Sequence, residues 1–546
     1  MIITTLAIPS MMSGPLRLLD CTLRDGGYLN DWNFGNSTLT CIFDRLNEAG
    51  IDIIEIGFLD GEHKYDMNRT IQPDTQSIGR AFSRTDEKRG MIVAMVDIGH
   101  CPIDNIQPRD ETILDGIRLI FKKERMDEAL EFAKKLKELD YAVFLQMVSI
   151  TDYEEKDIEQ LAKAANEIGI DTVSLVDTYG LMYREDVRDY FNWLNKYLDK
   201  SIAIGYHSHN NFQLAYSNTL LILDLAPSDR SIVLDGTLYG MGKNAGNAPL
   251  ELLANNLNVR FGKHYDINQL LEAINNEILP LYEKHRWGYN LSFYISAEND
   301  CHPKYVSYLM DKKTLSVKDV NKILGMIEPN HRLRYDEDYI ETLYGEYILK
   351  IIDDSECISN LKEAMDSRNI LLIGPGRSSI TESERIIGHI KERTPTVISV
   401  NFIPEGVEPN YVFISNPLRY SLVLPEIAGK KTKIIGTSNV TPAGRPFDYT
   451  VRYDSLITQG AIWDNSLAIF LNLLKKIGVK DITLAGFDGF RNNPEENYVD
   501  PNFDFSKDYD YLTSVNKSMS VLISDYRKEV KVTFLTESLY DGENDA

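Results

Sequence analysis

The sequence predicts an α/β protein: an N-terminal (β/α)8 TIM barrel with a helical appendage, followed by a C-terminal doubly wound, Rossmann-like α/β domain. Three observations carry this. Eight short β-branched runs start 25 to 40 residues apart in the first half of the chain, separated by amphipathic stretches such as MDEALEFAKKLKELD, the repeat of a parallel sheet. Residues 265–352 then lose the strand signal and become helical. A new βα pattern opens at NILLIGPGRSSI (369–380).

In order, the barrel strands are expected at LRLLDC (16–21), IDIIEIGF (51–58), MIVAMVD (91–97), GIRLIFK (116–122), YAVFLQMV (141–148), DTVSLVD (171–177), SIAIGYHSH (201–209) and SIVLDG (231–236). Eight βα units in about 240 residues favour a closed barrel over an open sheet. The appendage is clearest in INQLLEAINNEILPLYEKH and VKDVNKILGMI. PTVISVNF, NYVFISN, KTKIIGTSN, KDITLAGFDGF and VKVTFLTES supply the later strands, enough for a doubly wound sheet. The expected boundaries are 14–262 for the barrel, 263–352 for the appendage, 353–368 for a linker and 369–540 for the second α/β domain.

At 546 residues with 43% hydrophobic and 26% charged residues, the chain has the composition of a globular protein with at least two cores. A formal charge of -24 with no basic run argues against nucleic acid and anionic membrane surfaces as partners. Five scattered cysteines without a CxxC fit neither a disulfide framework nor a structural zinc site, so a reducing cytoplasm is expected. No run of about 18 apolar residues appears, and the N-terminal MIITTLAIPSMMSGP lacks the basic region of a signal peptide.

Barrel chemistry gathers at the C-terminal ends of strands, which turns the strand order into a test. Asp20, Arg24 and Asp25 follow the first strand, Glu55 lies in the second, and Asp97 ends the third. Gln146 is late in the fifth, Asp177 and Thr178 end the sixth, His207 and His209 end the seventh, and Asn247 follows the eighth. Polar groups in apolar strands are costly unless paired or ligand-binding, so their convergence on one rim favours a site. In YHSHNN (206–211), strand periodicity puts both imidazoles on one face. A carboxylate from the Asp25 region completes a two-His, one-carboxylate set able to hold a divalent cation with positions left open.

TLRDG, IEIGF, HSHNN and GMGKNAGNAPLE, in this order, resemble the DRE-TIM metallolyase superfamily over roughly residues 16–330. AGNAPLE is most similar to its 4-hydroxy-2-oxovalerate (pyruvate) aldolase branch. The resemblance implies Asp25, His207, His209 and Asn247 as metal ligands, for Mn2+ or Mg2+ first and Zn2+ or Co2+ otherwise. It implies Arg24 as the cation beside the developing enolate and Glu55 as its orienting partner. Asp97, Gln146, Asp177 and Thr178 would contact substrate.

The departures are informative. The lyase branch carries a reactive cysteine where this chain has GMGKNAGN, and the Claisen synthases follow the first motif with Glu-Gln where Gly27-Tyr28 stands here. The aldolases keep a histidine as general base at the position of Tyr28, a phenol that is a poor base at neutral pH. Tyr294 and His302, in the appendage, are the other candidates for that work.

LLIGPGRSS is a strand running into a glycine loop, without the Walker lysine and without a full GxGxxG. With VISVNF, YVFISNPLRY and ITLAGFDGF it resembles, more faintly, the Rossmann-like bacterial sialyltransferases and pterin pyrophosphokinase-like proteins. That resemblance implies Gly374, Gly376, Ser378 and Asn401 near a nucleotide or sugar phosphate.

The expected activity is therefore a metal-dependent aldolase acting on a small 2-oxo acid and an aldehyde through a metal-bound pyruvate enolate, in a homo-oligomer, with a role in unusual sugar or surface-polysaccharide metabolism. The alternatives are a Claisen-type acyl-CoA/2-oxo-acid condensing enzyme, and a transferase or nucleotide-binding function dominated by the C-terminal domain.

Overall fold

The computed structural model describes residues 14–82, 88–312, 315, 317–332, 335–348, 352–365, 369–442, 444–493, 496–500 and 509–541. The N-terminal segment, in which no leader is expected, lies mostly outside them. Two compact units divide at Pro303 and Lys304, within the stretch read as appendage.

The first unit is a closed parallel barrel. Its strands are β1 Leu16–Asp20, β2 Ile53–Leu59, β3 Met91–Asp97, β4 Gly116–Phe121, β5 Ala142–Met147, β6 Thr172–Asp177, β7 Ala203–Ser208 and β8 Ile232–Gly236. Each pairs in parallel with its sequence neighbour, and β1 closes the ring by pairing with both β2 and β8. These are the eight runs read from the sequence, with ends shifted by at most two residues.

The helices form because their apolar residues recur on one face. In Glu155–Ile168, for instance, Ile158, Leu161, Ala162 and Ala165 are the buried positions, and a Glu154/Asp157 capping box starts the helix. The β3 to β4 connection departs from the repeat. It holds only the 3-10 turns Ile103–Asn105 and Arg109–Glu111, because Pro102 and Pro108 interrupt any longer helix.

A two-residue strand, Ile71–Gln72, adds to the end of β2 and is too short to leave a sequence signal. Gly57 makes that approach possible: its φ is +151°, and a Cβ there would lie 1.8 Å from the Thr70 carbonyl oxygen. The pairing of β2 with β3 slips between Glu55 and Phe58 at the same place.

After β8 the first unit continues through helices Leu250–Phe261 and Ile267–Ala273, the second running through a π turn at Ile274–Ile278 into Leu279–Lys284. Leu291–Glu298 follows.

The second unit opens with helices and continues as a seven-stranded parallel sheet. Its strands are β9 Ile370–Ile373, β10 Thr396–Val400, β11 Tyr411–Ile414, β12 Lys433–Thr437, β13 Tyr449–Val451, β14 Asp481–Ala485 and β15 Lys531–Phe534. Their order is β13-β12-β11-β10-β9-β14-β15, so the direction of winding reverses beside β9. The three-residue β13 is an addition to the sequence reading. This unit has its own core, built around Leu372, Phe413 and the apolar face of helix Ser466–Ile477.

Candidate active site

The first functional segment is not the simple Asp-Gly turn its composition suggests. Thr22–Asp25 forms one helical turn at the end of β1, and Gly27–Asn30 forms another. A Cβ on Gly26 would lie 2.8 Å from the Met241 sulfur, and one on Gly27 would overlap the Trp32 indole at 2.0 Å. The glycines are there for close packing. Trp32 Nε1 donates to the Arg24 carbonyl at 2.8 Å and fixes the turn.

This turn aims Arg24 and Asp25 into the barrel mouth. Arg24 Nη1 donates to Asp25 Oδ2 at 2.6 Å, and Arg24 Nε donates to Glu55 Oε2 at 2.9 Å. The same Asp25 oxygen faces His207 Nε2 at 3.3 Å and His209 Nε2 at 3.8 Å. Ligand atoms of Asp25, His207 and His209 lie within 4.8 Å of one another, and all three residues are buried.

The outer ring nitrogens are occupied. His207 Nδ1 is 3.0 Å from Asp235 Oδ2, and His209 Nδ1 is 3.2 Å from the Lys243 carbonyl oxygen. A ring whose Nδ1–H is held by an acceptor presents its Nε2 lone pair inward, the orientation used by metal-binding histidines.

Asn247 supplies a further observation. Its Nδ2 donates to the Met241 carbonyl at 3.3 Å, while its buried Oδ1 has no hydrogen-bond partner. The backbones of Asn247 and His209 form an antiparallel bridge, and a Cβ on Gly242 would lie 2.1 Å from Asn247 Nδ2 and 2.7 Å from Asp25 Oδ1. Two imidazoles, a carboxylate and an orphaned amide oxygen are a donor set that fits a divalent cation with mixed N and O ligands.

The electrostatics agree with that fit. Burial alone would raise the Asp25 carboxyl, but Arg24, His209 and His207 outweigh it and hold it well below the usual carboxylate range. Burial lowers His209 to about 4, which keeps it neutral and able to ligate. Burial would also lower His207, but its hydrogen bonds to Asp235 and Asp25 raise it.

A residue the sequence reading missed joins the two halves of the site. Arg118, fully buried on β4, donates through Nη1 to Glu55 Oε2 at 2.7 Å and through Nη2 to Gln146 Oε1 at 3.1 Å. Nη2 also makes a short bond to Asp235 Oδ2. Arg118 thus links the carboxylate that steers Arg24 with the carboxylate that steers His207. A lone arginine inside GIRLIFK and an aspartate inside SIVLDG were the available signals.

The other predicted residues fall as follows. Gln146 is spent inside the barrel, donating to Ser174 Oγ at 2.9 Å as well as accepting from Arg118. Asp177 accepts from the backbone of Leu181 and Met182, and burial raises its pKa to about 6. Thr178 Oγ1 accepts from Ser149 N at 2.8 Å. Asp97 is partly buried at the end of β3, which raises its pKa.

Tyr28 packs edge-on against Trp32 and Phe58. Although 42% of its surface is exposed, withdrawal of its phenol from water raises its pKa, Arg24 opposing and the carboxylates of Asp25, Asp97 and Glu55 reinforcing the shift. It is a neutral hydrogen-bond donor at ordinary pH. Tyr294, on Leu291–Glu298, meets Phe212 of the loop after β7 edge-on at 6.3 Å. His302 is partly buried just before helix Pro303–Asp311.

In the second unit, Gly374, Gly376 and Ser378 follow β9 and Asn401 follows β10. Asn401 adopts a left-handed conformation (φ 59°), its amide donating to Ser466 Oγ at 2.6 Å and accepting from Ser415 N at 3.1 Å.

A parallel barrel with a buried cluster of two histidines and one carboxylate able to hold a metal ion, and an arginine-carboxylate pair on its C-terminal rim, defines a class of barrel proteins. Comparison with known proteins narrows the class. The HMGL-like family model matches residues 15–276. The 4-hydroxy-2-oxovalerate aldolase of Chloroflexus aurantiacus is 31% identical over 279 residues, 49% of this chain and 76% of that protein. Oxaloacetate decarboxylase of Mycobacterium tuberculosis is 27% identical over 267 residues, 48% of this chain and 76% of that protein. Among solved structures, the N-terminal domain of a Bacteroides vulgatus protein provisionally described as an aldolase is 27% identical, covering 55% of this chain and 98% of that chain with a TM-score of 0.46. The chain belongs to the HMGL-like family.

Proposed function

We propose that the barrel is a divalent-metal-dependent carbon-carbon lyase that makes or cleaves a 4-hydroxy-2-oxo acid through the enolate of pyruvate. The observation that carries this reading is the convergence of Asp25, His207 and His209 beside the Arg24 guanidinium, with the orphaned Asn247 Oδ1 on the segment bridged to His209. A divalent cation held by these four would supply Lewis-acid charge to the carboxylate and keto oxygens of a 2-oxo acid. Mn2+ suits the mixed donor set.

The chain's own groups have separable tasks. Arg24, fixed by Glu55, places permanent positive charge where the keto oxygen becomes negative as the C3–C4 bond breaks. The electron pair of that bond passes to the pyruvyl fragment, and the aldehyde leaves with a carbonyl formed from the 4-hydroxyl. Tyr28, held neutral, is suited to give a proton to the enolate carbon. The 4-hydroxyl proton needs a different acceptor. Asp97, at the C-terminal end of β3 on the same rim and raised by burial, is the carboxylate we assign to it.

The protonated state of Tyr28 also favours a second reading, decarboxylation of a 2-oxo diacid. Loss of CO2 needs no base at a 4-hydroxyl, only the charge sink and a proton donor for the same enolate. The resemblance to oxaloacetate decarboxylase supports it.

Exchange of the pyruvate methyl protons in D2O, followed by NMR with Mn2+ present, tests the shared enolate step. The intact chain should exchange them, and Asp25→Asn should slow exchange by about 100-fold or more, the scale of losing a charge-stabilising group. Absence of exchange in the intact protein would overturn the proposal. Aldehyde release from 4-hydroxy-2-oxo acids and CO2 release from oxaloacetate then separate the two readings, and thiol release from acetyl-CoA would instead indicate Claisen condensation.

A further inference from the structure

We propose that the second unit binds a nucleotide in a cavity at the C-terminal edge of its sheet, with the phosphate held at Arg419 rather than in the glycine loop. The cavity encloses about 520 Å3, the size of a small-ligand site. It is lined from the segments after β9, β10 and β14, where the strand order reverses. Connections leave a parallel sheet toward opposite faces at such a point, and the gap between them is where ligands of open α/β sheets bind.

The glycine loop itself is closed to phosphate. Gly374 N donates to the Ala485 carbonyl at 2.8 Å, Gly376 N to the Gly486 carbonyl at 2.8 Å, and Ser378 N to Asp488 Oδ2 at 2.7 Å. Ser378 Oγ also bonds Asp488. Two backbone carbonyls and the Asp488 carboxylate therefore already occupy the donors that a phosphate would use. A Cβ on Gly376 would lie 2.7 Å from Asp488, so this glycine serves the packing of the loop against Gly486–Asp488.

The remaining wall has a different character. Arg419 lies 5.7 Å from the centre of the Tyr498 ring and lines the cavity, as does Lys312, whose Nζ is paired with Glu341 at 2.7 Å. Helices Pro417–Glu426 and Ser466–Ile477 both start at this wall, so their positive dipole ends add to the Arg419 charge. Asp464 is the opposing carboxylate, and Asp488 is engaged by Ser378. Phe487, Tyr498 and Tyr511 add aromatic rings to the lining. Aromatic surface beside a cation suits a ligand that is planar at one end and anionic at the other, as a nucleoside phosphate is.

Isothermal titration of the full chain with AMP, GMP, CMP and UMP, and with inorganic phosphate and glucose as comparators, tests the assignment. At least one nucleotide should bind about tenfold or more tightly than phosphate or glucose, the margin that base stacking provides. Arg419→Met should weaken that binding about tenfold or more, whereas Arg419→Lys, which keeps the charge, should retain part of it. Tyr498→Ala should also weaken it, with the circular dichroism melt checked for each variant. The proposal falls if no nucleotide outbinds phosphate, if glucose binds more tightly, or if the Arg419 variants bind as the intact chain does.

Discussion

Arg118 shows how much one side chain can decide in a barrel interior. It holds Glu55 and Asp235 at once, and each of those carboxylates has a second oxygen that is buried without a hydrogen-bond partner. Arg118→Met leaves two buried carboxylates short of their counter-charge, and breaking a buried pair from one side costs about 3–5 kcal/mol. Urea unfolding of the barrel should show a loss of that size. The double change Arg118→Met with Glu55→Gln should recover part of it, because it removes one stranded charge.

Asp20 adds a pH dependence at the same scale. It is fully buried, accepts from Thr22 N at 3.0 Å and Thr22 Oγ1 at 2.6 Å, and burial pushes its pKa from 3.8 to about 7. Between these values the folded state keeps a proton that the unfolded state releases. The stability this group contributes is therefore fully present below pH 3.8 and lost as pH rises through about 7. Urea midpoints measured from pH 4 to 8 should fall less steeply in Asp20→Asn than in the intact protein.

At the scale of elements, the site depends on how strand ends are shaped. Gly57 in β2 is the clearest case, since any side chain there collides with the Thr70 backbone and demands a positive φ of a residue that avoids it. Gly57→Ala should cost about 3 kcal/mol, the upper range of overpacking, and should displace Glu55 two residues earlier. A drop in urea midpoint together with loss of pyruvate proton exchange would register both effects. The same scale explains what a sequence can and cannot reveal. His207 and His209 are legible because strand periodicity is two, so their shared face follows from their spacing alone. Arg118 and Asp235 are not, because which residue on β4 meets which on β8 depends on the closure of the ring.

For the whole molecule, separate cores imply separate unfolding. One cluster of buried residues runs from Leu16 to Trp287 and another from Leu361 to Tyr540. Calorimetry should resolve two transitions, and Mn2+ with oxalate, a stand-in for the pyruvate enolate, should raise only the one belonging to the barrel. At about 100 times the dissociation constant, the expected stabilisation is about 2.7 kcal/mol. A single transition shifted as a unit would show that the two cores unfold together.

The sequence by itself determined the eight-strand repeat, the placement of the second parallel sheet and the polar residues gathered at the strand ends, because hydrophobic period and strand order are written along the chain. Only the tertiary structure decided the rest. Barrel closure brought Arg118 to Glu55 and Asp235, and loop packing left Asn247 Oδ1 buried without a partner while filling the glycine loop of the second sheet with backbone carbonyls and Asp488. Those outcomes depend on contacts between residues far apart in sequence, and no local pattern encodes which distant group will fill a given hydrogen bond.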